Sequence, residues 1–125
     1  MDTSYLRGKM SENKKTVGKY IDGFNKSDHG QILSCLIEDI EWEMPGVFHL
    51  YGKESFDKEI NNEAFVGNPT VTIIRMTEEN DVVVAEGEVH VKKKDGNILH
   101  AKYCDVFIMK NAKIRQLISY FMETK

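Results

Sequence analysis

The chain has 125 residues, 41% hydrophobic and 30% charged, with a net charge of -3. That length fits one domain around one core, and the weak negative charge gives no reason to expect a nucleic acid or an anionic membrane as partner. No stretch reaches the ~18 apolar residues of a membrane span. Cys35 and Cys104 stand far apart, the metal spacings CxxC and HExxH are absent, and the opening "MDTSYLRGKMSENKK" lacks an apolar signal core. The expectation is a reduced, cytoplasmic protein with no metal and no cofactor.

Residues 1–10 show no period and are expected to form a tail before a single domain over 11–125. Ser11 can cap a helix on which Val17, Tyr20, Ile21 and Phe24 fall at i, i+3, i+4 and i+7, ending near residues 25–27. Asp28 can cap a second helix carrying Ile32, Leu33, Leu36 and Ile37 on one face. In "EDIEWEMPG", Ile40, Trp42 and Met44 alternate with Glu41 and Glu43, a strand that Pro45 and Gly46 end. "GKESFDKEINNEAF" has Phe56, Ile60 and Ala64 at helical spacing, closed by "GNP". After Pro69 come "TVTIIRM", "DVVVAEGEVHVKK", "ILHAKYCDVFIM" and "KIRQLISYFME", a four-stranded meander. Helices followed by grouped strands predict an α+β fold with helices on one face of an antiparallel sheet.

Asp105, inside the apolar run "YCDVF", is the anomaly, because Asp is disfavoured in strands and a carboxylate is expensive to bury. A two-residue Asp-Gly turn at "KKDGNI" would set apolar residues opposite polar ones on one face. A three-residue loop of Lys94, Asp95 and Gly96 instead pairs Val89 with Ala101, Gly87 with Tyr103 and Ala85 with Asp105. Asp105 then shares the helix-covered face with Tyr103 and Phe107. The same loop length at Lys110, Asn111 and Ala112 sets Leu117 opposite Asp105 and Phe121 opposite Ala101. The reverse face has Glu88 opposite Lys102 and His90 opposite His100, beside Cys104, Val106, Ile108 and Ile118. This mixed apolar face predicts a homodimer contact through His90, His100, Cys104, Val106, Ile108 and Ile118.

In "KYIDGFNKSDHGQILSCLIEDIEWEMPG", "YGKESF" and "YCDVFIMKNAKIRQLISYF", the chain resembles the superfamily of nuclear transport factor 2, the SnoaL-like polyketide cyclases and the ketosteroid isomerases. The resemblance covers about residues 11–123. It implies a cystatin-like roll: a curved antiparallel sheet wrapped round the N-terminal helices, forming a cone with a pocket. Tyr20 falls where ketosteroid isomerases carry the Tyr that donates to the substrate oxyanion, and Asp105 where they carry the protonated Asp beside it. Phe121 falls on an aromatic pocket position. Met44 stands where that family has its general-base Asp, and a thioether has neither proton affinity nor charge for the task.

The implied ligand is a small hydrophobic, carbonyl-bearing molecule. Asp105 is the expected acid/base, Tyr20 the group polarising the oxygen, and His49, in the segment "GVFHLYG", the expected substitute base near the pocket mouth. Phe24, Trp42, Met44, Tyr103, Leu117 and Phe121 are the expected lining for a flat apolar ligand. Met44 leaves two classes open: an isomerase- or cyclase-type enzyme, and a non-catalytic module of the same fold that binds a small ligand or a protein.

Overall fold

Ser11 starts the fold as its side chain dictates, accepting a hydrogen bond from the Lys14 N–H at 3.0 Å. The computed structural model describes residues 10–61 and 65–124, so the expected tail lies almost wholly outside the described residues. The first helix, α1 (Glu12–Lys26), ends where Ser27 turns into the left-handed region at φ 52°. There the Ser27 and Asp28 N–H groups bond the Phe24 and Gly23 carbonyls at 3.1 and 2.9 Å, a Schellman closure. Asp28 then caps α2 (His29–Ser34), its side chain accepting from Gln31 N–H. This helix is shorter than its apolar stripe predicted. Leu36 and Ile37 belong to β1 (Leu36–Met44), where Leu36 pairs with Ile114, and the Ile114 N–H bonds the Cys35 carbonyl at 2.8 Å. A short apolar run fits either period, and here strand pairing decides.

A four-residue strand, β2 (Phe48–Tyr51), forms a hairpin with β1 where the sequence pattern had shown only a connecting segment. The helix α3 (Lys53–Ile60) follows, with Phe56 buried; Ala64, expected on its stripe, lies outside the described residues. The strand β3 (Phe65–Glu79) begins before "GNP" rather than after it. Its ladder is irregular between Val66 and Thr70, which is how an edge strand accommodates Pro69 and a Gly67 at φ 75°. The remaining strands are β4 (Val82–Lys93), β5 (Ile98–Lys110) and β6 (Lys113–Thr124). Together they form a curved, unclosed sheet in the order β2-β1-β6-β5-β4-β3. The fold is the expected α+β cone with one correction: the sheet is mixed, because β1 and β6 run parallel.

The β4–β5 register is the one the three-residue loop predicts, with Ala85 opposite Asp105 and Gly96 at φ 90°. The β5–β6 register differs. Asn111 and Ala112 both take positive φ in a two-residue turn, and a bulge follows beside Ile108 and Met109. The strain at Ala112 is offset by its carbonyl, which accepts from Thr16 Oγ1 at 2.7 Å. The result places Ser119, not Leu117, opposite Asp105, and Tyr103, not Ala101, opposite Phe121. A slip of two residues keeps every side chain on its predicted face.

Along these strands the inner face changes character. Val83, Phe107, Ile114 and Leu117 are fully buried and join Val17, Tyr20, Ile32 and Phe56 in the core. Further along the same strands, Val89, Val91, Leu99 and Phe121 line open space. On the outer face His90 and His100 lie opposite each other with their Nδ1 atoms 2.5 Å apart, and Cys104, Val106, Ile108 and Ile118 are all partly exposed.

Candidate functional site

Two cavities open beyond the core. The inner one, about 180 Å³, is lined by Tyr20, Phe24, Trp42, Met44, Tyr103, Asp105, Ser119 and Phe121 among others. The outer one, about 650 Å³, shares Phe24, Trp42, Met44, Val89 and Phe121 with it and extends to His29, Phe48, Glu59 and Ile60. The shared walls make the inner cavity the floor of the outer one.

Asp105 is held on that floor by β5. Its surroundings are mostly apolar, and burial pushes its pKa up to about 7, while a hydrogen bond from the Ser119 hydroxyl pulls in the other direction. Ser119 is itself fixed by Trp42, whose indole Nε1–H donates to Ser119 Oγ at 3.0 Å. Trp42 in turn is clamped by stacking on Phe56 at 4.2 Å and by the edge contact with Phe48 at 4.9 Å. The indole therefore orients the Ser119 hydroxyl, which stands opposite Asp105 on the neighbouring strand.

Two tyrosines stand near it and differ in what their hydroxyls do. Tyr103 donates to the Thr72 carbonyl at 2.8 Å, an approach that needs Gly87, since a Cβ there would meet both the Thr72 carbonyl and the Tyr103 hydroxyl. Tyr20 is wedged edge-on between Phe24, Phe56 and Phe107. Its hydroxyl pKa is raised well above the usual phenol value by burial and, second, by the negative charge of Asp105. No hydrogen bond joins Tyr20 to Asp105 or to another described residue. No buried side-chain polar atom among the described residues lacks a partner, so the Tyr20 oxygen opens onto the cavity it lines. For Tyr103, burial and then Asp105 likewise raise the pKa.

Of the residues expected at the site, Tyr20, Phe24, Trp42, Met44, Tyr103, Asp105 and Phe121 come together around the inner cavity. Leu117 does not. The β5–β6 bulge moves it opposite Phe107, where it is fully buried core. His49 lies outside the cavity linings as well, with Nε2 2.6 Å from Glu41 Oε2 and its ring stacked on Tyr51. Residue 49 lies in β2, whose alternation turns His49 away from the cavity that Phe48 lines. Ser119 was missed, although pairing the polar Ser119 with Asp105 and Leu117 with Phe107 is the more consistent pattern. His29 lines the outer cavity, and as a lone histidine at a helix start it carries no signal in the sequence.

Chemically, a carboxyl that keeps its proton near neutrality and a phenol free to donate converge on one apolar pocket. Such a pair stabilises negative charge developing on a ligand oxygen. Among the described residues no group of three or more His, Cys, Asp or Glu side chains is placed to hold a metal ion.

The SnoaL-like domain family matches residues 17–117, most of the chain, and the chain belongs to that family. By sequence it matches no curated protein. Its fold is similar to that of an NTF2-like protein of unknown function from Burkholderia pseudomallei, at 19% identity and a TM-score of 0.83 over 90% of this chain and 92% of that one. It is similar to TerC, co-crystallised with polyporic acid, at 21% identity and a TM-score of 0.80 over 89% of this chain and 92% of that one. An LEH-like epoxide hydrolase from M. tuberculosis is similar at 17% identity and a TM-score of 0.78, covering 88% of this chain and 82% of that one.

Proposed function

We propose that the chain binds a small hydrophobic, carbonyl-bearing molecule on the cavity floor and acts on it by acid/base chemistry. Protonated Asp105 donates to the carbonyl oxygen and Tyr20 polarises the same atom. The observation that carries this reading is Asp105 itself, a carboxyl in an apolar cavity with its pKa pushed up to about 7 and only a serine hydroxyl to satisfy it. The fold it shares with an LEH-like epoxide hydrolase and with TerC, crystallised with polyporic acid, also supports a small-molecule ligand.

The test uses naphthol, whose fluorescence reports binding and whose oxygen stands in for the enolate. Titration should show saturable binding that weakens about tenfold or more in Asp105→Leu, the scale of a hydrogen bond to a charged group. Asp105→Asn is the poorer probe, since its amide still donates. Equal affinity in wild type and Asp105→Leu would rule the reading out.

Met44 favours a second reading, a non-catalytic binder. It lines both cavities from the end of β1, at the position where the resemblance places the isomerase base. Binding of carbonyl compounds without proton exchange at the neighbouring carbon would select that reading. Alongside the pocket, we propose that the outer sheet face joins two copies of the chain, which a hydrodynamic mass of one chain at micromolar concentration would exclude.

A further inference from the structure

The outer face of the sheet carries a pair of side chains that the pocket does not use. His90 on β4 and His100 on β5 stand directly opposite each other, with their Nδ1 atoms 2.5 Å apart and their ring planes at 78°. The Lys93 N–H to Asn97 carbonyl bond closes this hairpin, and alternation from there makes 90–100 a non-hydrogen-bonded pair, the kind whose side chains come closest. The backbone therefore sets the meeting. A separation of ten residues belongs to none of the usual metal spacings, because a hairpin rather than a helical repeat brings the rings together.

Thr70 and Thr124 occupy the same row on the flanking strands, and Thr124 Oγ1 donates to the His100 carbonyl at 3.2 Å. In the adjoining rows Glu88 opposes Lys102 and Lys92 opposes Ile98, so the neighbouring charges do not favour a cation and only the imidazoles can. Six residues along the strands, roughly 20 Å away, Val84 opposes Val106 in the apolar part of this face. The histidine row lies at its polar end.

Two imidazole nitrogens that each lie about 2.0 Å from one metal ion stand about 2.8 Å apart at a right angle and about 3.3 Å apart at a tetrahedral one. The observed separation is nearer the first. His100 is exposed and His90 half-buried, so a small turn of either ring opens the remaining distance. Magnesium and calcium, which want several oxygen ligands, find no such set here. We propose that His90 and His100 form a two-imidazole site for a divalent ion of right-angle coordination, copper(II) before nickel(II), with water in the other positions. Without the ion, one Nδ1 donates its proton to the other. With it, both Nδ1 atoms ligate, both Nε2 atoms carry the protons, and neither ring changes its charge. The ion clips β4 to β5 and owes nothing to the pocket.

The test titrates the full chain with copper(II) buffered by glycine, followed by calorimetry and electron paramagnetic resonance. One copper per chain should bind, with the spectrum of two nitrogen ligands. His90→Ala and His100→Ala should each weaken binding by about tenfold or more, since losing even a group that supports a ligand costs that much. Neither residue belongs to the core, so urea unfolding without copper should barely separate these variants from the wild type. Excess copper should raise the unfolding midpoint of the wild type and leave that of His90→Ala in place. His29→Ala and His49→Ala should bind as the wild type does. Copper held equally well by the His90→Ala/His100→Ala double variant overturns the proposal, as does a spectrum with a single nitrogen ligand or a loss that follows His29 or His49 instead.

Discussion

The two ends of the β5–β6 ladder are built from the same kinds of residue and do opposite things. At one end Phe107 faces Leu117, and both are fully buried against α1. Two pairs further on, Tyr103 faces Phe121, which is 43% exposed at the cavity. The pair between them is Asp105 and Ser119. At roughly 3.4 Å per residue, the dry core and the open cavity lie about 14 Å apart along a strand, with the carboxyl midway. That boundary has enough protein on one side to keep the acid protonated and enough space on the other to admit a ligand oxygen.

The same substitution at the two ends of this gradient should give very different losses. Phe107→Ala removes a fully buried ring and should destabilise the fold by about 3–5 kcal/mol in urea unfolding. Phe121→Ala, at the rim, should lose less than about 1 kcal/mol while weakening naphthol binding. Equal losses would mean that the cavity end is packed like the core.

The midpoint can be tested by pH. Folding raises the Asp105 pKa from 3.8 to about 7, so between these values the folded chain holds a proton that the unfolded chain has released. The stabilising contribution of the neutral acid is fully present below about pH 4 and is lost as pH rises through about 7. Its slope is at most about 1.4 kcal/mol per pH unit for one proton. Asp105→Asn should remove this slope, so the variant should gain on the wild type with rising pH and be the more stable of the two at pH 8. A pH-independent difference would place the carboxyl in contact with solvent.

Much of this arrangement was legible in sequence because faces are decided by parity. The alternation around Asp105 and the Gly96 loop were enough to bring Tyr20, Phe24, Trp42, Tyr103 and Asp105 to one cavity, and the two-residue error in β6 left that parity intact. Illegible were features set by tertiary contact. Ala112 accepts a left-handed conformation because Thr16, 96 positions away, bonds its carbonyl. Leu36 leaves its helix because β6 offers it a partner. β2 is four residues long, too short to show a period, and its orientation sends His49 to Glu41. His29 meets Asp57 only because two short helices pack together.

The smallest expected effect separates the two tyrosines. Tyr103→Phe deletes the donor to the Thr72 carbonyl on the edge strand, a loss of about 1 kcal/mol of stability. Naphthol binding should be unchanged, because that hydroxyl already has its partner. Tyr20→Phe deletes a hydroxyl that opens onto the cavity, so stability should move by less than about 0.5 kcal/mol while naphthol affinity falls several-fold. The two variants should thus fail in opposite assays. If Tyr103→Phe is the one that weakens binding, its hydroxyl must leave Thr72 to meet the ligand, and the donor beside Asp105 is on β5 rather than on α1.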